Sequence, residues 1–195
     1  MLASLSLETL RALRLTLVFA LVTGLIYSLA MTGIAQVLFN GQANGSLINL
    51  NGQVVGSSLI GQQFTNSTYF HGRPSANSYA ADNSAGSNLA PSNQALIDRV
   101  SAAADEFRRE NYMAPTDPVP VDIVTTDFSG FDPHISVAAA YLQVRRVAGA
   151  RGLDQARVKA LVDKYTQGRV LGIFGEPSVN VLELNLALDR GEAGS

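Results

Sequence analysis

Any chemistry in this chain has to begin with its two imidazoles, His71 and His134, the only histidines among 195 residues. His71 is followed by Gly72, Arg73, Pro74 and Ser75; His134 follows Asp132 and Pro133. Metal centres usually gather several imidazoles with carboxylates at fixed spacings, and no such spacing links these two. A zinc or hydrolase site built from both has nothing further in the sequence to support it. Cysteine is absent, which excludes thiolate ligands, thiol nucleophiles and disulfides. Serines are plentiful, yet there is no Gly-x-Ser-x-Gly elbow and no GxxxxGK[ST] phosphate loop. The Asp-Lys-Thr-Gly-Thr run on which ion pumps form an aspartyl phosphate is missing as well.

Two weaker constellations remain. Ser84, Ala85, Gly86, Ser87 and Asn88 are small enough for backbone amides to wrap an anion or a carbonyl-rich partner. A solvent-exposed turn explains them equally well. Asp98, Asp105, Glu106 and Asp122 could attract a cation, but carboxylates interleaved with arginines more often make a solvated helix face. Outside the apolar amino-terminal region 15 acids stand against 12 bases, so the attraction is mild and nucleic acid is not an expected partner.

The elements that would position these residues begin with an anchor. Residues 15–39 carry no charged side chain, and Arg11 and Arg14 stand just before them. As a helix at about 1.5 Å per residue the run is about 37 Å long, against a hydrocarbon core of about 30 Å. Basic residues stay on the cytoplasmic side. The expected organisation is therefore a cytoplasmic segment 1–14, a transmembrane helix 15–39 and an extracytoplasmic domain 40–195. A cleaved signal peptide, with Gly33-Ile34-Ala35 as its small-residue site, is the rival reading, although its apolar core would be unusually long. Thr16, Ala20, Gly24, Ser28, Thr32 and Gln36 recur every four residues along the helix. Nearly all are small or hydroxyl-bearing, as suits a face where another membrane helix comes close.

The outer segment reads as one α+β domain. Asn51-Gly52 before an apolar run suggests a hairpin. Residues 69–92 form a small-residue, polar stretch too long for an ordinary connection, read as an ordered working loop pinned by Tyr69, Phe70, Tyr79 and Leu89. Ser92 is the expected cap of a helix whose inner stripe is Leu96, Val100, Ala103 and Phe107. Residues 119–126 suggest a strand. Asp132 and Pro133 open a helix with Ile135, Ala138, Ala139 and Leu142 inside, closed by Gly149 and Gly152. Asp154 caps the next, whose stripe is Val158, Leu161, Val162 and Tyr165, with Gly168 as its stop. Residues 179–189 satisfy both periods, with helix favoured and Ser178 as its cap.

Five pieces occur in order behind the anchor: His71 to Ser75 (HGRPS), Ser84 to Asn93 (SAGSNLAPSN), Asp132 to Ser136 (DPHIS), Gln143 to Ala148 (QVRRVA) and Val179 to Asp189 (VNVLELNLALD). Together they resemble the C subunit of the Kdp-type high-affinity potassium-transporting P-type ATPase of bacteria, over essentially the whole chain. The resemblance implies an accessory, non-catalytic subunit in the bacterial inner membrane, needed for assembly. Its partners would be a channel-like potassium-binding subunit, an ATP-hydrolysing P-type subunit and the lipid bilayer. It also implies a contribution to the pump's ATP affinity or to gating of potassium. No cofactor is bound by the chain on this reading, and ATP would enter through the pump subunit. Outer-domain contacts would fall on His71, Gly72, Arg73, Pro74, Ser75, Asn88, Asn93, Asp132, His134, Asn180 and Asn185. The competing reading is a membrane-anchored periplasmic domain that binds or senses a small ligand.

Overall fold

The computed structural model describes residues 2–50 and 52–193, with side chains from residue 7 onward. It divides after Leu47 into two compact units.

The first unit is helical. Helix α1 (Leu2–Phe19) runs into a π-helical stretch, Ala20–Ile26, and then into α2 (Tyr27–Leu38), followed by the single turn α3 (Asn40–Ala43). Residues Leu7–Leu38 form one helix long and apolar enough to cross a membrane, with none of its most apolar stretch buried by protein. The π stretch bears on the small-residue row. In a straight α-helix an i+4 row creeps about 40° round the axis per step, so five steps would carry Gln36 about 200° away from Thr16. A π turn closes i→i+5 bonds and turns less per residue, which sets the creep back. The row therefore stays closer to one face than straight geometry allows. Two of its hydroxyls bond within the helix: Ser28 Oγ reaches the Thr23 carbonyl at 3.4 Å and Thr32 Oγ1 donates to the Ser28 carbonyl at 2.8 Å. In the last turn of α2 the Gln36 side-chain oxygen accepts from Asn40 (3.2 Å) and Asn44 (3.1 Å).

The second unit is α+β, as expected. Strands β1 (Leu47–Leu50) and β2 (Gln53–Ser57) pair in a two-stranded sheet. Asn51 lies outside the described residues, and Gly52 has φ +81°, the left-handed conformation a tight hairpin demands. Helix α4 (Gln94–Glu110) follows a long irregular stretch. Strand β3 (His134–Ser136) leads directly into α5 (Val137–Arg151), which packs on α6 (Gln155–Lys164). Strand β4 (Thr166–Gln167), strand β5 (Ser178–Asn180) and helix α7 (Val181–Asp189) complete the domain. The sheet order is β3-β5-β4, antiparallel throughout, with Ile135 opposite Val179. Its core gathers Phe70, Phe107, Ile123, Ile135, Val147, Val158, Val162, Val179 and Leu184.

Several expected boundaries move, each for a physical reason. Asn93, not Ser92, caps α4, its side chain accepting from the Ala95 amide at 2.9 Å. Residues 119–126 are not a strand; prolines 118 and 120 remove ladder donors, and only a 3₁₀ turn, Val121–Ile123, forms there. Asp132 and Pro133 do not open a helix. Ile135 is drawn into the sheet against Val179, so α5 begins after Ser136, whose hydroxyl accepts from the Ala139 amide. Ala138 consequently faces outward, while Ala139 and Ala140 are buried. Gly152, at φ +65°, ends α5, and Asp154 caps α6 as expected, whereas Gly149 lies within α5. Helix α6 stops at Tyr165 rather than Gly168, because Thr166 and Gln167 pair with β5. Residues 178–180 are strand and 181–189 helix, with Asn180 as cap in place of Ser178.

Candidate functional site

Residues 71–92 contain no helix or strand, and they are held by side chains instead. Phe70 is fully buried, and Asn185 on α7 brackets it: Asn185 Oδ1 accepts from the Phe70 amide (2.8 Å) and Nδ2 donates to its carbonyl (2.9 Å). Gln143 on α5 does the same to His71, accepting at 2.7 Å and donating at 3.1 Å. Two side-chain amides thus stand in for neighbouring strands, satisfying a backbone that has no sheet to join. Behind them Arg146, almost fully buried, donates to the Asn111 and Gln143 side chains and to the Ser67 and Tyr69 carbonyls, all between 2.7 and 3.0 Å. Its guanidinium fork suits four acceptors in one place.

Beyond this clamp two of the sequence motifs meet. Arg73 pairs with Asp132 at 3.0 Å, and the other Asp132 oxygen accepts from the His134 amide at 2.9 Å, with the His134 ring at 3.3 Å. Burial pushes the Asp132 carboxyl upward, but the His134 hydrogen bonds and the Arg73 charge outweigh it and hold the group below the ordinary aspartate value. Ser75 donates to the Gly130 carbonyl at 2.6 Å, and its oxygen accepts from the Tyr79 amide. The Tyr79 hydroxyl donates to the Arg73 carbonyl. Burial first, then Asp127 and Asp132, push this phenol up to about 12, so it stays a donor. Asp127, which the sequence did not single out, organises the facing turn by accepting from Ser129 Oγ and the Gly130 and Asp132 amides.

Gly72, Arg73, Pro74 and Ser75, with His71 and Tyr79, line one wall of a cleft of about 320 Å³; Glu106, Phe107 and Glu110 of α4 line the other. His71 Nε2 lies 3.1 Å from the Asn66 carbonyl, and Nδ1 faces Glu110 at 3.4 Å. Burial first and the Arg146 charge second keep the His71 imidazole below its ordinary value of 6.5; Asn66 and Glu110 pull the other way without prevailing. Protonation of His71 therefore opposes folding. Its contribution is complete above pH 6.5 and is lost as pH falls through the depressed value. In urea titrations of the full chain in detergent, the unfolding midpoint should decline as the pH falls from 6.5 towards that depressed value and level off below it. The decline should be shallower in His71→Gln, and equal slopes would refute this role for the imidazole.

The remaining sequence candidates separate. Asn180 and Asn185 are about 1% exposed and serve the interior, Asn180 donating to the Ser58 carbonyl at 2.8 Å. Asn93 caps a helix, and Asn88 is exposed with φ +51°. His71 and His134 engage different carboxylates, and among the described residues no three His, Asp or Glu side chains are grouped to hold a metal. Of the acidic cluster, Asp122 accepts from the Ser136 amide and hydroxyl, Asp98 from Gln94, and Asp105 pairs with Arg108. Ser84 and Ala85 both donate to the Ser129 carbonyl, so part of the small-residue turn is tied to the turn that Asp127 organises. The clamp residues lie within the motifs named from the sequence, but their shared duty does not show there. Its signal was uncharged or basic polar residues, Gln143, Arg146 and Asn185, at the inward positions of apolar helices.

An apolar helix long enough to cross a membrane, joined to a small α+β domain whose polar motifs are spent on building a loop, defines a class: small α+β domains that carry a single long apolar helix. The comparisons narrow it. The family described as KdpC, K+-transporting ATPase, c chain, matches residues 9–190. The chain belongs to this family. It is 55% identical over 179 residues to the potassium-transporting ATPase KdpC subunit of Gloeobacter violaceus, covering 91% of this chain and 93% of that one. Identity to the KdpC subunit of Rhodospirillum rubrum is 56% over 190 residues (94% and 96%), and to that of Rhodopseudomonas palustris 54% over 195 residues (93% and 96%).

Proposed function

We propose that this chain is the accessory subunit of an ATP-driven potassium uptake complex, with its anchor docked against a channel-like potassium-binding subunit. The outer domain stands on the extracytoplasmic side of the bacterial inner membrane, over the ion's entrance. ATP hydrolysis belongs to the P-type partner, and this chain supports assembly, with any effect on ATP affinity or potassium gating exerted through those partners. The observation that carries the reading is the match of nearly the whole chain, anchor included, to relatives named as subunits of a potassium-transporting ATPase. The π stretch adds support, since it keeps the small residues of the row close to one face.

Sidedness is the test. Arg11 and Arg14 precede the span, and the next cation is Arg73, a bias that holds the amino-terminal side in the cytoplasm. Protease added to intact spheroplasts should cleave the outer domain and leave it whole in inverted vesicles. The reverse pattern would overturn the proposed position.

A further inference from the structure

The cleft between residues 71–79 and α4 carries opposite charges on its two walls. On the loop wall stands Arg73, whose side chain is 23% exposed. Asp132 takes its Nη1 at 3.0 Å, but the buried Nε has no acceptor. A buried donor without a partner costs free energy, and folded chains carry few of them. On the helix wall Glu106 and Glu110 lie one turn apart. Glu106 reaches Arg109 only at 3.9 Å, and Glu110 faces the His71 ring at 3.4 Å. That ring is neutral above its depressed value, so it leaves the Glu110 charge standing. Arg146 acts on His71 from behind, but its donors are taken by four protein acceptors. Phe64 and Phe107 add apolar surface to the lining. At about 320 Å³ the space lies at the small end of ligand pockets, which run from about 300 to 1,000 Å³.

We propose that this cleft binds a small amino-carboxylate zwitterion, its carboxylate accepting from the Arg73 guanidinium and its ammonium donating to Glu110 and Glu106. Every group invoked belongs to this chain, so the site is additional to the subunit reading and does not depend on it. Neither half of such a ligand suffices. A carboxylate alone would face two glutamates, and an amine alone would meet the Arg73 charge while leaving its donor unfilled. An inorganic cation is the poorer fit, because among the described residues no three His, Asp or Glu side chains gather to coordinate one. The loop wall is set in advance: Ser75 Oγ donates to the Gly130 carbonyl and accepts from the Tyr79 amide, and the Tyr79 hydroxyl donates to the Arg73 carbonyl. Little conformational freedom is therefore lost on binding. A bound zwitterion would tie the loop to α4 and stabilise the folded chain by linkage.

The full-length chain in detergent, at low ionic strength, is titrated calorimetrically and melted with glycine, β-alanine and 4-aminobutyrate as probes. Butylamine and butyrate supply each charge alone. At least one zwitterion should bind saturably and raise the melting temperature by about 3 °C or more at saturation. It should bind about tenfold or more tightly than either single-charge probe. Glu106→Gln combined with Glu110→Gln should weaken that binding about tenfold or more, while the ligand-free melting temperature holds. Arg73→Gln should weaken it as far; where loss of the Asp132 bond unfolds that variant, the glutamate pair alone decides. No saturable binding by any of the three zwitterions, equal affinity for butylamine or butyrate, or undiminished binding by the glutamate variant would overturn the proposal, and the subunit reading would stand in each case.

Discussion

Arg146→Met should lose about 3–5 kcal/mol of stability, since four acceptors in a nearly closed interior are stripped of a charged donor at once. For a chain of this size that corresponds to a fall of about 10 °C in melting temperature. The arginine holds the Ser67 and Tyr69 carbonyls, the Asn111 side chain and Gln143, and Gln143 in turn holds His71. Burial pulls the guanidinium's pKa down, with Glu110 partly offsetting it, yet arginine keeps its charge under any working condition. Arg146→Lys should recover only part of the loss, because an ammonium lacks the planar fork that reaches several acceptors together. Melting of the three full-length proteins in detergent measures the order. A methionine variant within about 0.5 kcal/mol of the parent would show that other bonds hold the loop, since surface substitutions fall in that range.

Gly24→Leu combined with Ser28→Leu should cut recovery of the chain with its complex about tenfold or more, because small residues are what allow helices to approach closely in lipid. The substitution is benign to the helix itself. Beyond the neighbouring backbone of the helix nothing lies within 4 Å of a Cβ at Gly24, and the Ser28 hydroxyl makes only a long 3.4 Å bond to the Thr23 carbonyl. Leucines on a helix that already suits lipid leave insertion intact, so the loss is specific to association. Placing the same pair at Leu25 and Leu29, which are leucine in the natural chain, is impossible as a control; Leu25→Ala with Leu29→Ala serves instead and should leave recovery near the parental level. Equal recovery of both variants and parent would remove the packing face from the description.

Much of this fold is legible in the sequence. The long apolar amino-terminal helix, the inner stripe of α4, the Asp154 cap and the Gly152 stop follow from local patterns that the tertiary structure does not oppose. The failures share a cause. At Asp132-Pro133 a good helix-start signal lost to pairing of Ile135 with Val179, a contact 44 positions away that no local window registers. In 181–189 the alternating leucines fit both periods because the helix is buried nearly all round, with Leu182, Leu184, Leu186 and Leu188 all inside. The π stretch has no composition signature, and its effect on the small-residue row emerges only from backbone geometry. Motif residues were found by type but not by duty. Asn185 and Asn180 looked like surface contacts and proved to be interior bracing, while Arg73 and Asp132, 59 positions apart, do meet.

The most direct measurement is recovery of the tagged full-length chain from native membranes in mild detergent, followed by identification of what accompanies it. A channel-like potassium-binding subunit and an ATP-hydrolysing subunit should appear with it in fixed proportion. A chain that emerges alone from membranes in which both of those proteins are present and assembled would contradict the assignment of its anchor and outer domain to that complex.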